Sequence, residues 1–345
     1  MPVVKITMSY PAWPIVRQTP GCSSQWEDYY FAINEDVDEC DAWVVLDDLR
    51  RVERRVCPAE RTFFMTFEPP TYGSYPDGFL AQFSGIAMCG GHSYAHPGLR
   101  VSFPPQPWYF GLNMSSKHPN MLAKRISYLS FDQISALKPW KTKLMSVVCS
   151  DRKFTEGHRR RFEFVKSLVK HFGNRLDWFG MGVKEVVDKS EALTDYKYHI
   201  AIENGFIDHY WTEKLADAYL GWCMPIYYGC PNVTDYFDRK SLIQIDILDI
   251  EGSIRRIEEA IASNAWETSI DAIAQARSLI LEKYNLFPII ISLLEGLPIS
   301  TGKKVIVLRP RSHYVGRTRA VLRRVRRRLQ FGLGVTNRIR FLGRI

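Results

Sequence analysis

No apolar stretch in these 345 residues is long enough to cross a bilayer as a helix, so a helical channel, carrier or anchored receptor is not expected. The first residues, Met1-Pro2-Val3-Val4-Lys5, run straight into a strand-like segment and carry no signal-peptide pattern. Cysteine is sparse and unpatterned. Cys22, Cys40, Cys57, Cys89, Cys149, Cys223 and Cys230 are odd in number, with no CxxC or Cys/His spacing. That argues against a zinc ribbon or a disulfide scaffold and suits reduced cytosolic thiols. There is no internal repeat, which sets solenoids and propellers aside.

Acidic residues are missing from one place. Residues 303–345 hold fourteen Lys/Arg and neither Asp nor Glu, leaving 32 basic against 37 acidic residues elsewhere. The net charge of +9 therefore belongs to this tail. Within 317–331, Val321, Leu322, Val325 and Leu329 recur at helical spacing among Arg323, Arg324, Arg326, Arg327 and Arg328. A basic amphipathic segment of this kind suits an anionic membrane surface. Arginine runs also bind nucleic acid. Here no aromatic side chains interleave for stacking and no RNA- or DNA-binding motif occurs, so no nucleic acid is expected. The plain alternative is a solubilising tail.

What is present is enough apolar sequence, 46%, for two cores. The first unit, 1–140, has strand-like runs at 3–8, 43–46 and 62–67, then long Pro/Gly/aromatic loops between 69 and 119. The second, 141–302, opens with the strand-like 143–148 and a polar loop at Ser150. A helical stripe of Phe162, Val165, Leu168 and Val169 follows, then strand-like runs at 176–179, 198–202, 224–228 and 242–245. Helical patterns at 250–262, 270–284 and 288–294 complete it. Strands alternating with helices predict a parallel sheet covered on both faces. Ligands of such sheets sit at the carboxyl ends of the strands, here Ser150, Glu203-Asn204 and Gly229.

The stretch 198–229 is the most informative. An apolar run ends in Glu203-Asn204-Gly205. Thr212 then stands as an N-cap before Leu215, Ala216, Ala218, Tyr219 and Trp222, and Met224–Tyr228 reads as a doubly covered strand stopped by Gly229. Glu213 and Lys214 thus fall in the first turn of a helix, beside unsatisfied N–H groups and the positive end of the dipole. That position suits a diphosphate. On spacing alone a second reading stays open, in which Glu213 complements the dipole and Lys214 is solvated.

The order of these motifs resembles the family 10 glycosyltransferases, the α-1,3/4-fucosyltransferases that use GDP-fucose. Their C-terminal signature is an aromatic-Glu-Asn, a spacer, Tyr-x-Thr-Glu-Lys, and a Pro-containing apolar strand ending in Gly. Glu203-Asn204, Tyr210-Trp211-Thr212-Glu213-Lys214 and Pro225-Ile226-Tyr227-Tyr228-Gly229 match it in order and spacing. Upstream, Arg161, Phe164 and Leu168 after Ser150 fit the family's Arg-x-x-Phe-x-x-x-Leu. Phe67-Glu68-Pro69-Pro70 resembles its strand ending in Glu, and Tyr75-Pro76 with Phe79-Leu80-Ala81-Gln82-Phe83 looks like the bacterial continuation. The resemblance covers about residues 40–290. Ile202 departs from the usual aromatic, and Ser150-Asp151 stands where Ser-Asn is common.

The resemblance implies an α/β, GT-B architecture: two Rossmann-like domains facing across a cleft, 1–140 for the acceptor and 141–302 for the sugar nucleotide, plus the tail 303–345. It implies an inverting displacement with Glu68 as general base and Arg161 and Lys214 stabilising departing GDP. Ser150, Glu203, Asn204, Tyr210 and Glu213 would line the donor site, Glu213 accepting from the ribose. The acceptor would be a GlcNAc-containing surface glycan or lipid-linked oligosaccharide. The tail would hold the protein on the inner face of the cell membrane, as in soluble bacterial members. Without the resemblance, Glu68 reads as a surface carboxylate opening a turn.

No metal or other cofactor is expected. Asp36-Val37-Asp38 lies in an acidic run and reads as a solvated turn, and Asp246-Ile247-Leu248-Asp249 follows a strand and caps the next helix. His92, His96 and His118 lack ligand spacing. Two other readings remain: the same fold with another nucleotide sugar, and a non-catalytic protein bound to membrane or nucleic acid.

Overall fold

The computed structural model describes residues 1–10, 13–70, 74–91, 94–113, 127–151, 156–295, 297 and 302–315. The first half contributes strands β1 (Val3–Met8), β2 (Gln25–Trp26), β3 (Tyr29–Ile33), β4 (Ala42–Leu46), β5 (Glu53–Cys57), β6 (Thr62–Met65), β7 (Gly85–Met88) and β8 (Leu99–Val101). The second contributes β9 (Lys143–Val148), β10 (Leu176–Phe179), β11 (Tyr196–Ile202), β12 (Met224–Tyr228), β13 (Ile243–Gln244) and β14 (Lys304–Leu308). Helices are α1 (Asp77–Leu80), α2 (Phe131–Ala136), α3 (Glu156–Phe172), α4 (Glu213–Leu220), α5 (Ile250–Ala262), α6 (Ala265–Thr268), α7 (Ile270–Ser278) and α8 (Leu286–Glu295).

Two parallel sheets result. The N-terminal one runs β2-β3-β1-β4-β6-β7-β8, parallel except for the β2–β3 edge hairpin, and the C-terminal one runs β10-β9-β11-β12-β13. In each, the strand order reverses beside the first strand, between β1 and β4 and between β9 and β11. Crevices at such switch points are where doubly wound sheets bind ligands. The two sets of strand ends meet: the Gly90 N–H beyond β7 donates to the Asp208 carbonyl beyond β11 at 3.0 Å. A Cβ on Gly90 would stand 2.5 Å from that oxygen, so glycine is what lets the domains touch here. This is the GT-B arrangement.

Alternation explains the first core. Ala42, Val44 and Leu46 face one side of the N-terminal sheet, whereas Trp43 and Val45 face the other. The first side is covered by α8, through Leu286, Phe287, Ile290, Ile291 and Leu294. The second is covered by Phe79 and Leu80 of α1 and by Leu308. The chain therefore crosses between domains more than once. Phe103, Trp108, Phe110 and Ile134, assigned by sequence to the first unit, pack in the C-terminal core. Residues 286–295, assigned to the second unit, pack on the first.

The tail assignment at 303 changes similarly. Lys304–Leu308 pairs antiparallel with Glu53–Cys57, making a two-stranded ribbon on the N-terminal domain. The amphipathic stripe at 317–331 lies outside the described residues.

Other differences are local. β6 stops at Met65, short of the expected 67, because the Thr66 hydroxyl and the Phe67 N–H turn to the Asp47 carboxylate. The helix expected over 270–284 breaks after Ser278 into a π-helical turn, Leu279–Lys283. The expected strand 242–245 is only Ile243–Gln244. On α3 the buried stripe is Phe164, Val165, Leu168 and Phe172, and Phe162 instead tilts against Trp178.

Candidate functional site

A cavity of about 380 Å³ opens where β9, β10 and β11 end. Its walls are the strand ends Val148-Cys149-Ser150, Gly180-Met181 and Ala201-Ile202, the first turn of α4 and the side of α3. It lies at the C-terminal domain's switch point.

The α4 turn is built from Thr212 outward. Its side chain caps the helix, accepting from the Lys214 N–H at 3.4 Å. Glu203, at the end of β11 and 2% exposed, accepts from the Thr212 N–H at 2.8 Å and from its hydroxyl at 2.7 Å. The Lys214 ammonium stands 3.3 Å from Glu203, 3.1 Å from Glu213 and 3.0 Å from the Thr212 hydroxyl. Burial works to lower the Lys214 pKa, but Glu203 and Glu213 outweigh it and raise it above its ordinary value. Burial pushes Glu213 up, yet Lys214 and Lys189 overcome it and hold this carboxyl below its ordinary value. Glu203 behaves oppositely: burial keeps it above the ordinary carboxylate range and Lys214 only partly offsets this. Gly229 permits the arrangement, since a Cβ there would stand 2.4 Å from Glu203 Cγ.

Arg161 reaches the same cavity from α3. Its guanidinium donates to Asn204 Oδ1 at 2.7 Å and adjoins the Cys149 thiol, while its buried Nε has no partner among the described residues. Glu213 Oε2 is likewise buried and unpartnered. A cation and an acceptor are thus aimed at a cavity beside a helix N-terminus, a fit for a phosphate and a hydroxyl.

The structure brings Ser150, Arg161, Glu213 and Lys214 together on the cavity wall. It separates the other three donor-site candidates by role. Glu203 lies behind the wall and orients Thr212 and Lys214. Asn204 holds Arg161. Tyr210, 2% exposed, is also off the wall, and burial keeps its hydroxyl well above the usual tyrosine range. Asp151 is exposed, its carboxylate lying against Gly182.

Glu68 stands on the other domain, exposed at the end of β6. Burial raises the pKa of the Tyr109 hydroxyl, and the charges of Glu213, Asp217 and Glu68 add to the rise. Its backbone is fixed from beneath. Asp47, at φ 65°, accepts from the Phe67 N–H at 3.0 Å and the Thr66 hydroxyl at 3.0 Å, and Thr66 Oγ1 accepts from the Glu68 N–H at 3.2 Å. Gln106 donates to the Phe67 carbonyl at 2.8 Å.

Sequence reasoning missed Tyr109, Lys189 and Asp217. Tyr109 and Lys189 line the cavity. Asp217, fully buried one turn along α4 from Glu213, accepts from the Tyr109 and Phe110 N–H groups at 3.1 and 3.0 Å and pairs with Lys189 at 2.7 Å. An acid among Leu215, Ala216, Ala218, Tyr219 and Leu220 was the available signal. The remaining candidates are structural. His96 bonds the Phe83 carbonyl and the Gly98 N–H, Asp36 pairs with Arg55 at the surface, and Asp249 caps α5. His92 and His118 lie outside the described residues.

Two doubly wound domains with strand ends meeting over a cation-lined cavity define a GT-B protein. Residues 138–255 match the family model described as "Glycosyltransferase family 10 (fucosyltransferase) C-term". A 73-residue segment, 21% of this chain, is 40% identical to the alpha-(1,3)-fucosyltransferase FucT of Helicobacter pylori. A 52-residue segment, 15% of this chain, is 42% identical to the alpha-(1,4)-fucosyltransferase of Arabidopsis thaliana. These segments span only 15% and 13% of those relatives' own lengths. Among solved structures, an alpha1,3-fucosyltransferase with GDP aligns over 82% of this chain and 92% of its own, at 18% identity and TM-score 0.46. The same description with GDP-fucose aligns over 87% and 92%, at 16% identity and TM-score 0.44.

Proposed function

We propose that this protein is an inverting fucosyltransferase that moves fucose from GDP-fucose to a hydroxyl of a GlcNAc-containing surface glycan or lipid-linked oligosaccharide. The observation that carries the reading is the Arg161–Glu213–Lys214 cavity wall at the start of α4, within the segment that matches the family 10 model. Glu68 accepts the proton of the acceptor hydroxyl as its oxygen bonds to the fucose anomeric carbon. The anomeric carbon–phosphate oxygen bond breaks, and the electron pair leaves with GDP. Arg161 and Lys214 face that developing charge already oriented, which is where preorganised cations act most strongly. These cations and the α4 dipole do the work a divalent metal does in other transferases. Glu213 Oε2 accepts from a donor hydroxyl. The protein works on the inner face of the membrane, docked by the basic residues beyond 315.

Labelled GDP-fucose, GDP-mannose and UDP-sugars, each offered with a mixture of GlcNAc-containing oligosaccharides, test the donor. Turnover of GDP-fucose alone supports the reading, and preference for another donor replaces it. No turnover of any donor, together with tail-dependent binding to anionic vesicles or RNA, indicates a non-catalytic protein. Glu68→Gln is expected to lower transfer about 100- to 10,000-fold, the usual worth of a positioned base, while GDP still binds. The docking test cuts the chain after residue 315, because an earlier cut removes β14. If the shortened protein still sediments with anionic vesicles, docking lies elsewhere.

A further inference from the structure

We infer that the C-terminal strap, residues 303–314, positions the catalytic turn Thr66–Glu68, with Arg311 as the residue through which it acts. The inference rests on the reading of Glu68 as the base, but its structural part is tested separately.

The strap is built onto the N-terminal domain at several points. Beyond β14, the Arg309 N–H donates to Gln82 Oε1 at 2.8 Å and the Arg309 carbonyl accepts from Gln82 Nε2 at 2.9 Å. The Tyr314 ring covers Gly78 so closely that a Cβ there would stand 2.9 Å from it. Between these anchors, the Arg311 N–H donates to Asp48 Oδ1 at 2.9 Å, and its guanidinium lies over the Tyr75 ring, 5.0 Å from the centroid.

Tyr75 is the link to Glu68. Its hydroxyl lies 2.7 Å from Thr66 Oγ1. Thr66 has one hydroxyl hydrogen and two lone pairs. The hydrogen goes to Asp47, one lone pair takes the Glu68 N–H, and the other takes the Tyr75 hydroxyl, so Tyr75 donates. The Thr66 hydroxyl is saturated and its geometry depends on all three partners. Arg311 holds Tyr75 by a cation–π contact. Burial raises the Asp47 pKa above its ordinary value, and the nearby Arg311 charge partly offsets that rise. The path from a residue 243 positions downstream to the Glu68 backbone thus has two side-chain steps, Arg311 to Tyr75 and Tyr75 to Thr66.

The test uses the full-length protein, comparing wild type with Arg311→Met, Arg311→Lys, Tyr75→Phe and Glu68→Gln. Amide hydrogen exchange over residues 64–70 is expected to speed up in Arg311→Met and Tyr75→Phe, to recover in Arg311→Lys, and to stay unchanged over 199–229. With labelled GDP-fucose and the oligosaccharide mixture, Arg311→Met is expected to lower kcat about tenfold, leaving the donor KM and the Kd for GDP unchanged. Unchanged exchange at 64–70 overturns the inference. So does faster exchange everywhere, which is a merely structural effect, or an unchanged kcat where Glu68→Gln is inactive. If Glu68→Gln turns over normally, the base assignment fails, and the exchange data still decide whether the strap holds the turn.

Discussion

The two sides of the cleft are held in different ways. On the C-terminal side, Glu203, Asn204, Thr212, Glu213 and Lys214 come from one short stretch, and Ser150, Arg161 and Lys189 reach in from elsewhere. Their order is kept by charge: one ammonium shared between two buried carboxylates and a capping hydroxyl. On the N-terminal side, Glu68 rests on Asp47, Thr66, Tyr75, Gln106 and Arg311, gathered from separate segments and held by hydrogen bonds, two of them to the Asp47 carboxylate, and one ring contact. A local, charged site fails by leaving charges unpaired, at a cost of about 3–5 kcal/mol for a broken buried pair. A dispersed, hydrogen-bonded site fails by loosening, at about 0.5–1.5 kcal/mol for a typical hydrogen bond.

Lys214→Met should give the largest effect and the sharpest contrast. It strands Glu203 and Glu213 and removes a charge from the leaving-group side, so kcat is expected to fall about 100- to 1,000-fold. The melting temperature should fall with it, and GDP affinity should drop in isothermal titration. Arg311→Met, by contrast, should leave GDP affinity alone. Equal loss of GDP affinity in both variants would erase the distinction between the two sides.

Asp217 joins them, and its removal ranks next. Asp217→Ala leaves Lys189 and the N–H groups of Tyr109 and Phe110 without their acceptor, a loss of about 3–5 kcal/mol by the rule for broken buried pairs. Adding Lys189→Met should recover part of it, because the stranded charge is then gone. Chemical denaturation of the two variants checks this; an additive second loss would mean that Lys189 holds another partner after Asp217 is removed. Thr212→Ala, deleting the α4 cap, should cost less, about 1–2 kcal/mol, and should loosen 212–216 in hydrogen exchange without touching 64–70.

The same contrast explains what the sequence made legible. β9, β11, β12 and α4 follow from local periodicity, and the Thr212 cap, the Gly229 stop and the Asp249 cap rest on residues a few positions apart. Ser150, Arg161, Glu213 and Lys214 could be read because their elements end at one edge of one sheet. Glu203 reads as a donor-site residue, and the structure sets it behind the cavity wall, bonded to Thr212 and paired with Lys214. Spacing shows a carboxylate at a strand end, but not that Thr212 and Lys214 consume it. Tyr109, Asp217 and the Arg311–Tyr75 pair were not legible, since each works across a long sequence separation that no periodicity records. The domain boundaries drifted for the same reason: α8 reads as a helix but does not say which sheet it covers.

The smallest effect separates the two sides by pH. His199, fully buried on β11 beneath the cavity, shares a 2.8 Å hydrogen bond with the Ser146 hydroxyl. That hydroxyl donates to the Ala192 carbonyl, so His199 Nδ1 is the donor in the pair and the ring is neutral. Burial, with Lys189 and Lys141 adding to it, holds its pKa well below 6.5. In the unfolded chain the imidazole protonates near 6.5, whereas the folded one does not. Stability from this group is therefore complete above about pH 6.5 and declines as pH falls below it, by at most about 1.4 kcal/mol per pH unit. His199→Asn keeps a donor toward Ser146 and removes the titration. Melting temperatures at pH 7.5, 6.5 and 5.5 should fall less steeply for the variant, and acid should speed exchange over 196–229 before it does so over 62–68. Parallel slopes for the two proteins would mean that the acid sensitivity of the C-terminal side lies in its carboxylates instead.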